Sequence, residues 1–237
     1  MLRETKLSRR KERQRERAEH ASAGPLFART ANQQRYIDSI NRNILTFGTG
    51  PAGTGKTFIS ATIAAHRMSM RRIGRVILTR PAVEAGGEKH GFLPGNLEKK
   101  MDPWIAPLMD IFQEHLGSDR VRKLMFEKAI DVIPFTYMRG RTFNNAFVLL
   151  DEAQNTTPEQ MELFLTRIGE DCVIVVNGDV KQSDLKRRSG LNVAVELIKS
   201  RKIKCGLIEF GLEDVVRSEL CKEWASAFDW WKEKDGE

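Results

Sequence analysis

Residues 50–57 read GPAGTGKT, directly after the apolar run ILTFG and directly before a stretch of helical periodicity, FISATIAAHRMSMRR. Glycines at 50, 53 and 55 let the backbone curl so that its N–H groups point inward. A helix that begins where the curl ends adds its positive end, so the segment builds a nest for an anion. The pattern is GxxxxGK[ST] in the setting it requires, a strand before and a helix after. It predicts a phosphate cradle made by Gly50, Pro51, Ala52, Gly53, Thr54 and Gly55. Lys56 is expected to reach the β- and γ-phosphates, and the Thr57 hydroxyl to ligate Mg²⁺.

The rest of the chain supplies the sheet such a loop needs. Short apolar runs recur at 44–48, 76–79, 131–135, 147–150, 173–176 and 207–210, with helix-length segments such as PEQMELFLTRIG and LNVAVELIKSRK between most of them. Runs without polar alternation suit strands buried on both faces, and strand–helix alternation predicts an α/β fold with a mostly parallel, doubly wound sheet. Ligands of such sheets bind at the carboxyl ends of the strands. Residues 81–128 interrupt the rhythm as a Gly- and Pro-punctuated insert ending in one or two helices. The 237 residues suit a single globular domain with a proper core.

The net charge is +7, from 39 Lys+Arg against 32 Asp+Glu, and residues 1–23 alone hold eight Lys/Arg and four Glu. The folded body is therefore only mildly basic, which is compatible with a polyanionic partner without requiring one. Residues 1–26 are nearly free of apolar side chains until ASAGP and read as a basic tail outside the core. The folded domain is expected over 27–237. Three scattered cysteines, Cys172, Cys205 and Cys221, form neither a disulfide framework nor a CxxC site, which fits a reducing cytoplasm. No apolar run approaches the length of a membrane span, and no signal segment opens the chain.

The loop alone leaves kinases, GTPases and ATP-driven motors open. The segment AFVLLDEAQN, residues 146–155, discriminates among them. Asp151 should emerge at the carboxyl end of a buried strand, where it can hold a metal through water. Glu152 is then placed to orient and deprotonate a water attacking the γ-phosphate. A kinase must keep water away from that phosphate, so the second acid favours hydrolysis. At the end of the next apolar run, VIVVNGDVKQSDL brings Gln182 toward a strand end as a γ-phosphate sensor; the competing reading is an ordinary Asn-Gly-Asp turn.

Taken together, QQRYIDSI, GPAGTGKT, VILTRPAVEAGGEKHGFLPGNLEKKMDPW, YMRGRTFNNAFVLLDEAQNTTPEQMELFLTRIG, GDVKQSDL, SGL and DVVRSEL resemble the PhoH family of P-loop ATPases, related to the superfamily-one helicase core. The likeness runs in order from about residue 31 to 221. It implies a single RecA-like P-loop NTPase domain with the 81–128 segment as a helical insert. It also implies that Gln33 reads adenine and that Arg217 contacts the γ-phosphate, in cis or across a subunit boundary. Arg80, Thr136, Arg139 and Arg141 would touch a nucleic-acid backbone, and Gln154 marks kinship with nucleic-acid motors.

The expected function is that of a cytoplasmic ATPase using ATP and Mg²⁺ and acting on RNA or single-stranded nucleic acid. Superfamily-one motors grip a strand across two RecA-like domains. One such domain here therefore implies a homo-oligomer, a hexameric ring by family resemblance. The alternative is a regulatory switch or protein-binding module, linked to phosphate starvation, in which ATP orders the insert. A nuclease is disfavoured, because no second cluster of acids stands ready to hold two metals.

Overall fold

A computed structural model of the chain describes residues 24–81, 97–182 and 188–235. The basic tail through residue 23 and the insert segment 82–96 lie outside the described residues. Six strands form one sheet: β1 (Leu45–Thr49), β2 (Arg75–Thr79), β3 (Ile130–Val132), β4 (Ala146–Leu150), β5 (Val173–Gly178) and β6 (Gly206–Glu209). Every pairing is parallel, and the order across the sheet is β3-β2-β4-β5-β1-β6.

The apolar runs form strands because each can be buried on both faces. In β4, Phe147 and Leu149 enter one core while Val148 and Leu150 enter the other; in β2, Val76 and Leu78 are divided from Ile77 in the same way. The first core is covered by α1 (Ala31–Arg42), α2 (Lys56–Ser69), α3 (Leu97–Leu116) and α4 (Ser118–Phe126). The second lies under α5 (Pro158–Leu165) and α6 (Gly190–Arg201). Helices thus cover both faces, as the alternation predicts. The last helix, α7 (Glu219–Asp235), follows the final strand.

Local chemistry sets several boundaries. Thr157 caps α5 with a full capping box to Gln160, and Pro158 occupies the first turn where its missing N–H costs nothing. Ser189 caps α6 through the Leu191 N–H. The run DVIPF, expected as strand through residue 135, is strand only to Val132: Pro134 has no N–H for the ladder, and the chain turns into a 3₁₀ helix at Phe135–Tyr137. The two helices that end the insert are α3 and α4, and α3 packs along α2, the helix that begins at the glycine loop.

Candidate nucleotide site

The glycine loop leaves β1 and enters α2, and three positive φ angles make the curl: Gly50 at 136°, Gly53 at 85° and Gly55 at 84°. At Gly50 the need for glycine is absolute in practice. A Cβ there would sit 2.3 Å from the Phe210 carbonyl oxygen, in a conformation L-residues avoid. Gly50→Ala should therefore destabilise the fold by about 2–4 kcal/mol. A urea unfolding midpoint unchanged from wild type would contradict that packing.

Lys56 is buried under the loop. Its Nζ donates to the carbonyls of Gly50 at 2.7 Å and Pro51 at 2.8 Å, and to the Thr54 hydroxyl at 3.1 Å. Burial pulls its pKa below the usual lysine value, partly offset by the carboxylates of Asp179, Asp151 and Glu152. The ammonium is thus held at the mouth of the nest, satisfied by loop oxygens rather than by a fixed carboxylate.

Asp151 reaches the loop by an indirect route. Its strand, β4, is not the neighbour of β1, because β5 lies between them. The gap is closed by side chains: the Thr57 hydroxyl donates to Asp151 Oδ1 at 2.9 Å. The Asp151 carboxyl is pushed up to about 6, first by burial and then by the charge of Glu152, with the Thr57 bond pulling the other way. An acid so destabilised as an anion, beside a hydroxyl oxygen, is a donor set that a divalent cation completes. Among the described residues no group of three or more His, Cys, Asp or Glu side chains could hold a metal. Phosphate and water oxygens would have to supply the remaining ligands, which is the habit of Mg²⁺. The residues present fit that ion.

Glu152 follows in a left-handed conformation, φ 52° and ψ 42°, which a non-glycine residue adopts only when its surroundings hold it there. Those surroundings are on both sides of its carboxylate. Gln154 Nε2 donates to Oε2 at 2.5 Å, and Arg80 Nη2 stands 3.5 Å from Oε1. The other end of the Gln154 amide accepts the Asp179 N–H at 3.0 Å, so this buried glutamine ties the end of β4 to the end of β5.

The remaining expected site residues divide between the cleft and its supports. Arg217 lines the cleft from its own chain, and its Nε would be 2.4 Å from a Cβ on Gly53; the Val216 N–H donates to the Gly53 carbonyl at 3.0 Å. Gln182 is exposed at the rim, four residues past β5. Gln33 is buried behind the loop, where Nε2 donates to the Thr54 carbonyl at 3.0 Å and Oε1 accepts the Arg29 N–H at 2.7 Å. It stands outside the cleft lining, and each end of its amide keeps one further hydrogen-bonding position beyond these contacts. Arg139 and Arg141 are exposed beyond the 3₁₀ turn that carries Thr136, apart from the cleft lining. The cleft encloses about 380 Å³ between the loop, Asp151, Glu152, Gln154, Asp179, Gln182 and Arg217.

Several supports escape sequence reasoning. The buried Tyr36 hydroxyl donates to Asn177 Oδ1, and Asn177 Nδ2 donates to Ser60 Oγ at 3.0 Å, a polar thread joining α1, β5 and α2 behind the loop. Burial drives the Tyr36 phenol far above its ordinary pKa, so it stays a donor. The one signal for this thread was Asn177 itself, a polar residue ending an apolar strand.

A nest of this shape with a buried lysine and a strand-end acid pair receives a nucleoside triphosphate, and the chain is a P-loop NTPase. A family model described as PhoH-like protein matches residues 25–229, and the chain belongs to the PhoH family. It is similar to the PhoH-like protein of Mycobacterium tuberculosis (strain ATCC 25618 / H37Rv), 48% identical over 202 residues, covering 84% of this chain and 57% of that one. The PhoH-like protein of Bacillus subtilis (strain 168) is 45% identical over 212 residues, covering 89% of this chain and 66% of that one. The chain thus spans less than two thirds of either relative. Among solved structures, the UvsW helicase of bacteriophage T4 aligns with a TM-score of 0.47 at 13% identity, covering 80% of this chain and 62% of that one. Among the described residues no helix is long and apolar enough to cross a membrane.

Proposed function

We propose that the chain binds ATP with Mg²⁺ in this cleft and hydrolyses the γ-phosphate. The observation that carries the reading is the adjacency of two differently committed acids, Asp151 bonded to Thr57 and Glu152 turned toward the cleft. When bound, Mg²⁺ would be held by the Thr57 hydroxyl and Asp151 and would neutralise phosphate charge. Lys56 exchanges its bonds to Gly50 and Pro51 for phosphate oxygens. Glu152 takes a proton from the attacking water as that water's oxygen bonds to phosphorus, and the β–γ bridge oxygen leaves with ADP. Arg217, already over the loop in its own chain, supplies charge to the transferring phosphoryl, and Gln182 at the rim contacts the γ-phosphate.

Hydrolysis of this kind is put to use on RNA or single-stranded nucleic acid by a homo-oligomer in the cytoplasm. The support is an exposed pair of arginines, Arg139 and Arg141, on a loop leaving β3 at the same carboxyl edge as the cleft. The expected result is phosphate release from Mg·ATP that rises with added polyuridylate in the wild type, with the rise lost in Arg139→Ala/Arg141→Ala. A competing reading, an ATP-dependent switch that moves a protein partner, has one observation in its favour: the insert helix α3 packs along α2 directly behind the loop. Turnover indifferent to polyuridylate would select it.

A further inference from the structure

The two grips on Glu152 are unequal. Gln154 is buried and bonds Oε2 at 2.5 Å, while its other end is fixed by the Asp179 N–H. Arg80 stands off Oε1 at 3.5 Å, with 28% of its side chain exposed against 39% for Glu152. The buried amide cannot leave without stranding two polar partners. The half-exposed ion pair is screened by solvent and is worth little, so a stronger anion can take the guanidinium away. Arg80 stands at the carboxyl end of β2, between β3, whose outgoing loop carries Arg139 and Arg141, and β4, which ends at the acid pair. An anionic backbone lying along that edge would meet Arg80 on its way to the cleft.

We propose that Arg80 is a releasable brake on Glu152. Without a polyanion it occupies the oxygen that must accept the proton of water. A phosphate of the bound strand draws Arg80 off, while Gln154 keeps the carboxylate aimed at the cleft. The inference rests on the hydrolase reading and adds to it a physical link by which strand binding is felt at the reacting atoms. Arg80 acts on the chemistry through Glu152 and is a positioning residue, not a group that touches the reacting phosphate of ATP.

The test is phosphate release from Mg·ATP by the full chain, wild type and Arg80→Gln, with and without polyuridylate. Without polyuridylate Arg80→Gln should turn over ATP about threefold faster than wild type, the scale on which an exposed ion pair biases an equilibrium. Its KM for ATP should be unchanged, and polyuridylate should add little further. Arg80→Lys, which keeps the charge but not the fork, should fall between the two. Equal or slower turnover of Arg80→Gln without polyuridylate overturns the brake, and so does stimulation as large as in the wild type. A wild type that releases no phosphate removes the hydrolase reading itself, a result distinct from either.

Discussion

Lys56→Ala is expected to lose nucleotide binding and, with it, turnover, by about 10²–10³-fold, as for removal of one preorganised charge at a reacting phosphate. The reason lies in how the ammonium is held. It is buried, it bonds only loop oxygens and the Thr54 hydroxyl among the contacts within hydrogen-bond reach, and three carboxylates nearby offset only part of the cost of its burial. Alanine removes the positive charge that faces the nest and also takes the Lys56 donor from the Gly50 carbonyl, while the Pro51 carbonyl keeps the Thr54 hydroxyl at 3.0 Å, for a stability loss of about 1–3 kcal/mol. Equilibrium binding of a fluorescent ATP analogue, run beside a thermal melt, separates the two effects. A folded Lys56→Ala protein that binds ATP as wild type does would show that the phosphates lie elsewhere.

The fold was legible because its strands are short β-branched and aromatic runs with no polar alternation, and burial on two faces demands that pattern. Their order was not. Which strand adjoins β1 depends on pairings between segments more than a hundred residues apart, Leu45 with Ile174 for example, and no local preference encodes them. For that reason the sequence places Asp151 at a strand end without the distance from that strand to the loop, which the Thr57 hydroxyl closes across the width of β5. The early end of β3 at Pro134 was readable from the proline alone.

Within the site, the glycine loop and the acid pair were legible because the chemistry dictates residue type and spacing together. The conformation of Glu152 was not, since glutamate has no preference for a positive φ; the constraint comes from Gln154 and Arg80, which arrive from tertiary structure. Sequence reasoning favours Gln182 over Gln154 as the working amide. The structure places Gln182 exposed on the rim and Gln154 buried against the carboxylate, because the 3₁₀ turn Ala153–Asn155 folds Gln154 back across the end of β5. Gln33 illustrates a different limit: its role as the adenine reader is implied only by the family resemblance, while its bonds to the carbonyl of Thr54 and the N–H of Arg29 come from tertiary structure.

Glu152→Gln isolates the chemistry from the binding. Glutamine keeps the size of the side chain and has one oxygen left to accept from Gln154 or Arg80, but it cannot accept a proton from water. Turnover should fall by about 10²–10⁴-fold, the usual contribution of a positioned general base. Affinity for ATP should change little, because the loop, Lys56 and Thr57 are untouched. The direct measurement is phosphate release in a single turnover of prebound Mg·ATP, wild type against Glu152→Gln, with the amount of bound nucleotide determined in the same samples. The account predicts equal ATP bound and phosphate released only by the wild type; near-normal release from Glu152→Gln would contradict it.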